Sequence, residues 1–409
     1  MATGRSAAKR KSIKACLAES VSSDFQIEAE RISARIRELH MPYGTIMDPI
    51  FAGPESDVVV SYTRTGDSAI WTGHYLAAEA FRYKVAGSED ALANVNAALA
   101  GIRGLLEITG LEVLARVAVP SDSPYSADIQ KEEGGHGVYT GSLNGRDYFW
   151  IGNTTRDQYS GVMFGLGVAF DLVSDPSVQA QVASLIDRLV GYLVDHTWIV
   201  FGPEKKISTV FTQRPDQQLA FLQIARRALG GKYNTKYKAQ AVAKAALTSA
   251  PIVYDALDDH QHYFKFNLNT INMYSLLRFE SEGTLLRKVY LKTYDTLRKT
   301  TDDHGNAHFN MIDHAIKGPN ARRDQQTIEM LQAWLQRPRR DPYVDLRGTY
   351  KACGEDRACS AISIPERPTT DFLWQRSPFL LYGGGVGVVE GPGIDFILPY
   401  WMARFHGVI

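Results

Sequence analysis

Four segments of this chain place charged and polar side chains directly before a long apolar stretch. They begin at Thr63, Gly152, Thr212 and Asp258 and read T-R-T-G-D-S-A-I-W-T-G-H, G-N-T-T-R-D-Q-Y-S-G, T-Q-R-P-D-Q-Q-L-A and D-D-H-Q-H-Y-F-K-F-N-L-N. An apolar helix has to be buried, and polar groups at its start then need partners. Helix caps alone do not require Arg, His, Tyr and Gln beside the Asp. The four segments therefore indicate a shared substrate pocket.

The candidate site residues come from these segments and from the aromatic residues interleaved with them. For catalysis we expect proton-transfer groups and carboxylates, namely Tyr159, His262, Tyr263, Asp157 and Asp67. For substrate binding we expect hydrogen-bonding, cationic and aromatic side chains, namely Trp71, His74, His136, Asn153, Arg156, Gln158, Arg214, Asn267 and Trp374. We expect one cavity to contain Asp67, Arg156, Asp157, Arg214 and His262 together, since all lie at predicted helix starts.

Arg156 and Tyr159 form the sharpest of these expectations. They lie three residues apart on one predicted helix and so share a face. Arg156 would pair a substrate carboxylate through two parallel hydrogen bonds, and its charge would favour a Tyr159 phenolate acting as a base.

Two D-D-H triplets, at 258–260 and 302–304, raise the question of a metal. Such clusters can ligate a divalent cation, but adjacent Asp residues before a helix are more often caps and solvated turns. No H-E-x-x-H, Walker, Rossmann or G-x-S-x-G pattern occurs in the chain. We therefore expect neither a metal nor a cofactor.

The elements that would position these residues have helical periodicity nearly throughout. Predicted helices cover 24 to 40, 67 to 86, 89 to 109, 157 to 173, 176 to 197, 215 to 229, 235 to 256, 261 to 280, 284 to 299, 307 to 316, 323 to 336 and 394 to 405. The first helix of each pair is apolar with a polar start, and the second carries charges along one face. This alternation predicts an all-α fold, an (α/α)6–7 toroid of inner and outer helices with long rim loops.

The connections 110–155 and 337–393 are too long for passive loops, and we expect them to carry short hairpins and to rim the mouth of the pocket. The domain organisation we predict is an N-terminal tail, 1–23, followed by one toroid domain, 24–409. The short polar loop C-G-E-D-R-A-C predicts a disulfide between Cys353 and Cys359, with two free thiols as the alternative.

Composition narrows the function classes. Of 409 residues 44% are hydrophobic, and the formal net charge is zero, so we expect no nucleic-acid partner. No apolar run approaches the length of a membrane span. The basic N-terminus is not a complete signal peptide, so we expect a cytoplasmic protein as written, or an exported one if a native leader was removed.

The pattern of polar inner-helix starts resembles the α/α-toroid carbohydrate-active enzymes over about residues 24 to 336. The toroid polysaccharide lyases, among them the alginate and glucuronan lyases, are similar in placing Asn, His, Arg and Tyr at one mouth. The toroid glycoside hydrolases, including the unsaturated glucuronyl hydrolases, are similar in carrying Asp at inner-helix starts. The resemblance implies an oligo- or polysaccharide substrate.

Three functions remain open at this point. A lyase cleaving a uronic-acid-containing glycan by β-elimination would use Asn153, Gln158 or Arg156 to neutralise the carboxylate, and Tyr159, Tyr263 or His262 to move protons. A glycoside hydrolase would use paired carboxylates among Asp67, Asp157 and Asp259. A non-catalytic sugar-binding protein is the third alternative. Because no Glu occurs at an inner-helix start, we expect the lyase ahead of the hydrolase.

Overall fold

The fold combines helices with three small antiparallel sheets. A computed structural model describes residues 23–257, 262–368 and 371–409. The predicted tail, except for its last residue, and the D-D-H triplet at 258–260 lie outside the described residues. Helices make up 58% of the structure and strands 13%. The prediction of an all-α, (α/α)6–7 toroid is therefore wrong, and the fold is mixed α/β.

Fourteen helices are named here in chain order. They are α1 (23–35, continued by a π-helical turn, Ile36–His40), α2 (Ser68–Ala86), α3 (Glu89–Glu107), α4 (Ser126–Glu133), α5 (Arg156–Leu172), α6 (Pro176–Asp195), α7 (Pro215–Leu229), α8 (Gly231–Lys244), α9 (Ser249–Ala256), α10 (Phe264–Arg278), α11 (Leu285–Lys299), α12 (Ala307–Lys317), α13 (Ala321–Trp334) and α14 (Ile394–Phe405). Short 3-10 turns link several of them, including Thr65–Asp67 before α2.

Nine strands occur in the described residues. They are β1 (Asp48–Phe51), β2 (Val59–Thr63), β3 (Val117–Pro120), β4 (Val138–Leu143), β5 (Arg146–Ile151), β6 (Ile199–Phe201), β7 (Ile207–Val210), β8 (Arg340–Asp345) and β9 (Tyr382–Glu390). The sheet orders are β2-β1-β9-β8, β3-β5-β4 and β6-β7. Every pairing is antiparallel, and β4 and β5 form a hairpin in register from Val138↔Ile151 to Leu143↔Arg146.

The individual strands were not predicted because most of them are short and all lie in connections without helical periodicity. Strand β6 has three residues, too few for an alternating pattern to stand out. The first long connection carries a short hairpin, β4–β5, as expected. In the second connection β8 pairs with β9 across the intervening residues 346–381, so that pair is not the short hairpin expected there.

Six helices contact one another in closed order: α2, α5, α7, α10, α12 and α14, which returns to α2. We call them the central helices. On the outside, α3 packs against α2, α6 against α5, α8 against α7, α11 against α10 and α13 against α12. Helix α1 packs against α14, where Phe25 meets Phe396 and Tyr400 edge to face. The core lies between these two layers, since the central helices are buried along most of their length.

One predicted helix is interrupted. The segment expected as a single helix over 235–256 forms α8, a 3-10 turn (Ala245–Thr248) and α9. Pro251 explains the restart, because proline has no N–H to donate to the preceding turn and is tolerated only near a helix start.

The predicted disulfide between Cys353 and Cys359 is confirmed, with an S–S distance of 2.10 Å. It closes a tight loop in which Cys353 N donates to Arg357 O.

Among the helices that the structure describes, none combines the length and the apolar character needed to cross a bilayer.

Candidate functional site

Three adjoining cavities form one cleft where the central helices begin. The first cavity, about 320 Å³, has Asp67, Trp71 and Gln375 in its wall. The middle cavity, about 180 Å³, shares these three residues and adds Asp157 and Phe264. The third cavity, about 330 Å³, shares Asp157 and Phe264 with the middle one. Asp67 and Asp157 therefore lie at the centre of a continuous cleft.

Local sequence explains why Asp67 and Asp157 sit at the starts of α2 and α5. Arg64 adopts a left-handed conformation (φ 54°) and turns the chain into the 3-10 turn that ends at Asp67. Thr155 caps α5 in a capping box, in which its backbone N–H donates to the Gln158 side chain at 2.8 Å. Asp157 follows in the first turn of α5, held by a hydrogen bond from the Thr155 hydroxyl.

Glycines bring the two helices, and so the two carboxylates, together. A Cβ on Gly161 would lie 2.6 Å from the carbonyl oxygen of Ile70 in α2. A Cβ on Gly73 would overlap the carbonyl of Gly161, and one on Gly165 would overlap the carbonyl of Gly73. Only residues without a side chain permit this approach, so the α2–α5 spacing depends on three glycines.

Arg116 ties together the segments that precede α2 and α5. Its Nη1 donates to Gly66 O at 2.9 Å and its Nε donates to Asn153 O at 3.1 Å. The same guanidinium lies 3.9 Å from Asp67 Oδ1. Arg116 thus fixes the two helix starts relative to each other and supplies a cation near Asp67.

Asp67 is the most perturbed carboxyl of the cleft. The Asp67 side chain is 35% exposed to the cleft, but protein atoms surround it on its other sides. Desolvation first, and repulsion from Asp157 second, raise the pKa of Asp67 to about 7, although Arg116 opposes the shift. Gln158 Nε2 donates to Asp67 Oδ1 at 3.2 Å. Asp67 can therefore carry a proton at neutral pH while the hydrogen bond to Oδ1 keeps it oriented.

Aromatic rings line the cleft on both sides of the carboxylates. Trp71 and Phe372 meet edge to face with centroids 4.6 Å apart in the wall of the first cavity. Phe264 is 37% exposed between the middle and third cavities. Flat apolar surfaces beside fixed polar groups suit the C–H faces and hydroxyls of a sugar.

A buried chain of hydrogen bonds through His74, Asn267 and His308 lies behind the wall of the middle cavity. His74 Nδ1 donates to Ile70 O at 2.9 Å, so its Nε2 accepts from the Asn267 amide at 3.1 Å. Asn267 Oδ1 then accepts from His308 Nε2 at 2.9 Å. Desolvation lowers the pKa of His74 to about 4 and the pKa of His308 well below its usual range. Both histidines are neutral structural partners that orient Asn267 in the cavity wall.

The third cavity holds a different set of charges. Arg214 Nη2 lies 2.7 Å from Asp216 Oδ2, and Arg214 Nη1 lies 2.9 Å from Asp255 Oδ2. Lys265 Nζ lies 3.9 Å from Asp255 Oδ1. Arg156 also lines this cavity. The carboxylate of Asp255 is thus shared between two cations.

The structure gathers part of the predicted site and separates the rest. The predicted residues that line the cleft are Asp67, Trp71, His136, Arg156, Asp157, Arg214 and Asn267. Those that do not appear in its walls are His74, Asn153, Gln158, Tyr159, His262, Tyr263 and Trp374. His262 is exposed, and four of the five residues expected in one cavity, Asp67, Arg156, Asp157 and Arg214, line the cleft.

Several of these residues lie behind the cleft. Gln158 is buried and orients Asp67. Trp374 is fully buried and stacks on His74, with centroids 5.5 Å apart. Asn153 has a positive φ of 49° and is tied by its carbonyl to Arg116.

The two predicted tyrosine bases belong to the core. Tyr159 is fully buried, and its hydroxyl accepts from Leu114 N at 3.4 Å. Tyr263 is 2% exposed, and its hydroxyl lies 2.8 Å from His304 Nδ1. Desolvation raises the pKa of both phenols, which is opposite to the phenolate stabilisation expected for Tyr159.

Sequence reasoning missed the residues that the long connections contribute. Glu133 comes from 110–155, and Asp371, Phe372 and Gln375 come from 337–393. Arg116, also from the first connection, was not singled out. The one available signal was the length of these connections, which predicted that they rim the mouth.

Within residues 23–257, 262–368 and 371–409, no group of three or more His, Cys, Asp and Glu side chains could hold a metal ion. The first cavity is rich in carboxylates, but arginines are interleaved with them. The described cleft therefore offers acid–base and ion-pairing chemistry.

No protein-family model, curated protein or solved structure matches this chain.

Proposed function

We propose that this protein is a glycoside hydrolase in which Asp67 is the general acid and Asp157 the second carboxylate. One observation carries the proposal: two carboxylates from neighbouring helix starts face the same cavity, and the pKa of Asp67 is raised to about 7. Glycoside hydrolysis uses such a pair, with one carboxyl protonated and the other acting as base or nucleophile. The aromatic walls support a sugar as the ligand.

In this reaction Asp67 gives its proton to the glycosidic oxygen while the bond from that oxygen to the anomeric carbon breaks. In the inverting form, water adds to the anomeric carbon and its proton passes to Asp157. In the retaining form, Asp157 first bonds to the anomeric carbon and water then displaces it. In the inverting form the proton then leaves Asp157 and Asp67 takes one up from solvent before the next turnover. In the retaining form Asp67, now a carboxylate, takes the proton of the attacking water. Either form consumes one water and restores the starting protonation of both groups.

The geometry favours hydrolysis over the β-elimination expected from the sequence. Elimination needs an accessible base beside the sugar C5 proton. Of the bases expected from the sequence, Tyr159 and Tyr263 are buried with raised pKa values. The two carboxylates, in contrast, face the open cleft.

A panel of neutral and acidic polysaccharides tests the proposal. We expect new reducing ends without growth of the ultraviolet absorbance of an unsaturated product. Asp67→Asn and Asp157→Asn should each lower turnover by about 100-fold or more, the usual contribution of a proton-transfer group. Asp122→Asn is the matched control, because Asp122 is exposed and pairs with Arg146 away from the cleft.

Two outcomes would contradict the proposal. Growth of the unsaturated-product absorbance would mean elimination. Glycan binding without new reducing ends on any substrate would mean a sugar-binding protein. If hydrolysis is seen, NMR of the first-formed anomer distinguishes inversion from retention.

A further inference from the structure

The two ends of the cleft differ in charge. The first cavity has six Asp and Glu side chains in its wall against four arginines; five of the six are carboxylates, and the sixth, Asp67, can hold a proton at neutral pH. The third cavity has three cations, Arg156, Arg214 and Lys265, against two carboxylates, Asp157 and Asp255. A chain lying along the cleft therefore meets opposite electrostatic environments on the two sides of the carboxylate pair.

Arg156 accounts for the positive character of the third cavity. Arg214 and Lys265 share Asp255, and Arg214 also pairs with Asp216. Arg156, in contrast, has no ion pair or hydrogen bond from its side chain to any residue that the structure describes. An arginine in a cavity wall without a carboxylate partner is available for an anion from outside.

The surroundings of Arg156 add to this availability. Desolvation first, and repulsion from Arg214 second, lower the pKa of Arg156. A guanidinium that is partly desolvated and close to a second cation gains more from an incoming anion than one in open solvent. The exposed ring of Phe264 lies in the same cavity wall and offers a flat surface for a sugar ring.

We propose that the third cavity is a subsite for a carboxylate-bearing sugar unit, whose carboxylate pairs with Arg156. The planar guanidinium matches a carboxylate through two parallel hydrogen bonds. The proposal rests on the proposed glycan function and deepens it: the acidic unit lies on the Asp157 side of the scissile bond. The substrate thus enters the cleft in one orientation.

Direct binding tests the subsite without turnover, in an Asp67→Asn background. The probes are two matched pairs of tetramers: β-1,4-linked glucuronate against cellotetraose, and α-1,4-linked galacturonate against α-1,4-galactotetraose. Calorimetry should show at least one uronate tetramer binding roughly 10- to 100-fold more tightly than its neutral counterpart, the range expected for a charge-assisted pair. The preference should shrink between 50 and 500 mM salt, about the range over which such pairs are screened.

Three variants assign the preference to Arg156. Arg156→Gln should remove it, and Arg156→Lys should retain part of it, because the charge remains but the planar fork is lost. Arg103→Gln, at an exposed position on α3, should leave it unchanged.

The inference is overturned if neither pair shows a uronate preference, if no tetramer binds, or if the preference survives Arg156→Gln. Its failure is distinguishable from failure of the hydrolase proposal. If the protein hydrolyses a glycan but shows no uronate preference that depends on Arg156, only the subsite is rejected. If the preference is seen but no glycan is hydrolysed, only the hydrolase proposal is rejected.

Discussion

At the scale of single residues, the chemistry of the cleft depends on the different surroundings of two side chains of the same type, Asp67 and Asp157. Asp67 is surrounded by protein atoms and faces Asp157, and its pKa rises to about 7. Asp157 accepts a hydrogen bond from the Thr155 hydroxyl, which fixes the position of its side chain. The neighbours of Asp67, rather than its residue type, therefore set its pKa.

The pH dependence of activity follows from this division. If Asp67 is the general acid, kcat/KM should fall as the pH rises through about 7, because the proton to be donated is lost. Initial rates between pH 4 and 10 on any glycan that the protein cleaves measure this pH dependence of kcat/KM. A rate that stays level to pH 9 would exclude Asp67 as the acid.

The cause of the shift can be tested separately from activity. Asp157→Asn removes a neighbouring negative charge, so the pKa of Asp67 should fall in that variant. Carboxyl ¹³C NMR titration of wild type and variant measures this difference. The control Asp122→Asn should leave the pKa of Asp67 unchanged. If Asp157→Asn also leaves that pKa unchanged, the coupling between Asp67 and Asp157 is contradicted.

The same shift predicts a stability effect. The folded pKa of Asp67, about 7, lies above its ordinary value of 3.8, so the folded state binds the proton more tightly. Stability is therefore lost as pH rises from about 4 to 7. Asp67→Asn should raise the unfolding free energy at pH 8 by roughly 1 kcal/mol after allowance for solvent screening, and by much less at pH 4. Urea unfolding at both pH values measures the change in unfolding free energy. An equal change at pH 4 and pH 8 would contradict a link between stability and the pKa of Asp67.

At the scale of elements, the α2–α5 contact sets the distance between the carboxylates. Both helices carry their Asp at the first turn, and the glycines allow their backbones to touch. The apolar lengths of these helices bury them, while their polar starts remain at the cleft. The packing of two helices is thus directly linked to the geometry of the site.

Gly161→Ala should disturb both stability and activity. The new Cβ would lie 2.6 Å from Ile70 O, so the helices must separate, at a cost of about 1–3 kcal/mol. A displacement of about 1 Å at the carboxylates can lower turnover by about 100-fold. Thermal unfolding and kcat/KM measure the two effects.

Gly104→Ala on α3 is the matched control for that substitution, because its Cβ would lie 3.7 Å from the nearest atom, Leu143 Cδ1. It should leave activity unchanged. A Gly161→Ala protein as stable and active as Gly104→Ala would show that the helix spacing is not limited by these glycines.

At the scale of the whole molecule, the two ends of the described chain are joined. Arg35 is the last residue of α1 and pairs with Glu390 at the end of β9, with Arg35 Nη2 and Glu390 Oε2 2.7 Å apart. His40 Nε2 lies 3.6 Å from the same carboxylate and Arg339 Nη2 lies 3.8 Å from it. This cluster links α1 to the four-stranded sheet, next to the point where α14 closes the order of central helices.

Glu390→Gln should therefore destabilise the protein globally. Desolvation alone would raise the pKa of Glu390, but the hydrogen bonds from Arg35 and the charge of Arg339 outweigh it and hold this pKa well below its usual range. Its stabilising effect is present above the ordinary Glu pKa, about 4.3, and is lost as the pH falls below it. We expect a loss of about 3 kcal/mol at pH 7, measured by urea unfolding, and a smaller loss at pH 3. A loss independent of pH would contradict the ionic origin.

The sequence by itself determined most of the helices and the placement of Asp67 and Asp157 at helix starts. Apolar periodicity and caps are local properties, so α2, predicted as 67 to 86, and α5, predicted as 157 to 173, agree within one residue with the structure. Asp67 and Asp157 could be placed at one mouth because each precedes or begins such a helix.

Tertiary structure decided the strands, the orientation of side chains and the identity of the supporting residues. Tyr159 shares a helix face with Arg156 by spacing, yet it packs against Phe211, with ring centroids 5.7 Å apart, and is buried while Arg156 is exposed. Arg116 joins Gly66 to Asn153 through contacts 50 and 37 residues apart. Burial and long-range hydrogen bonds depend on partners distant in the chain, and local periodicity carries no information about which partners these are.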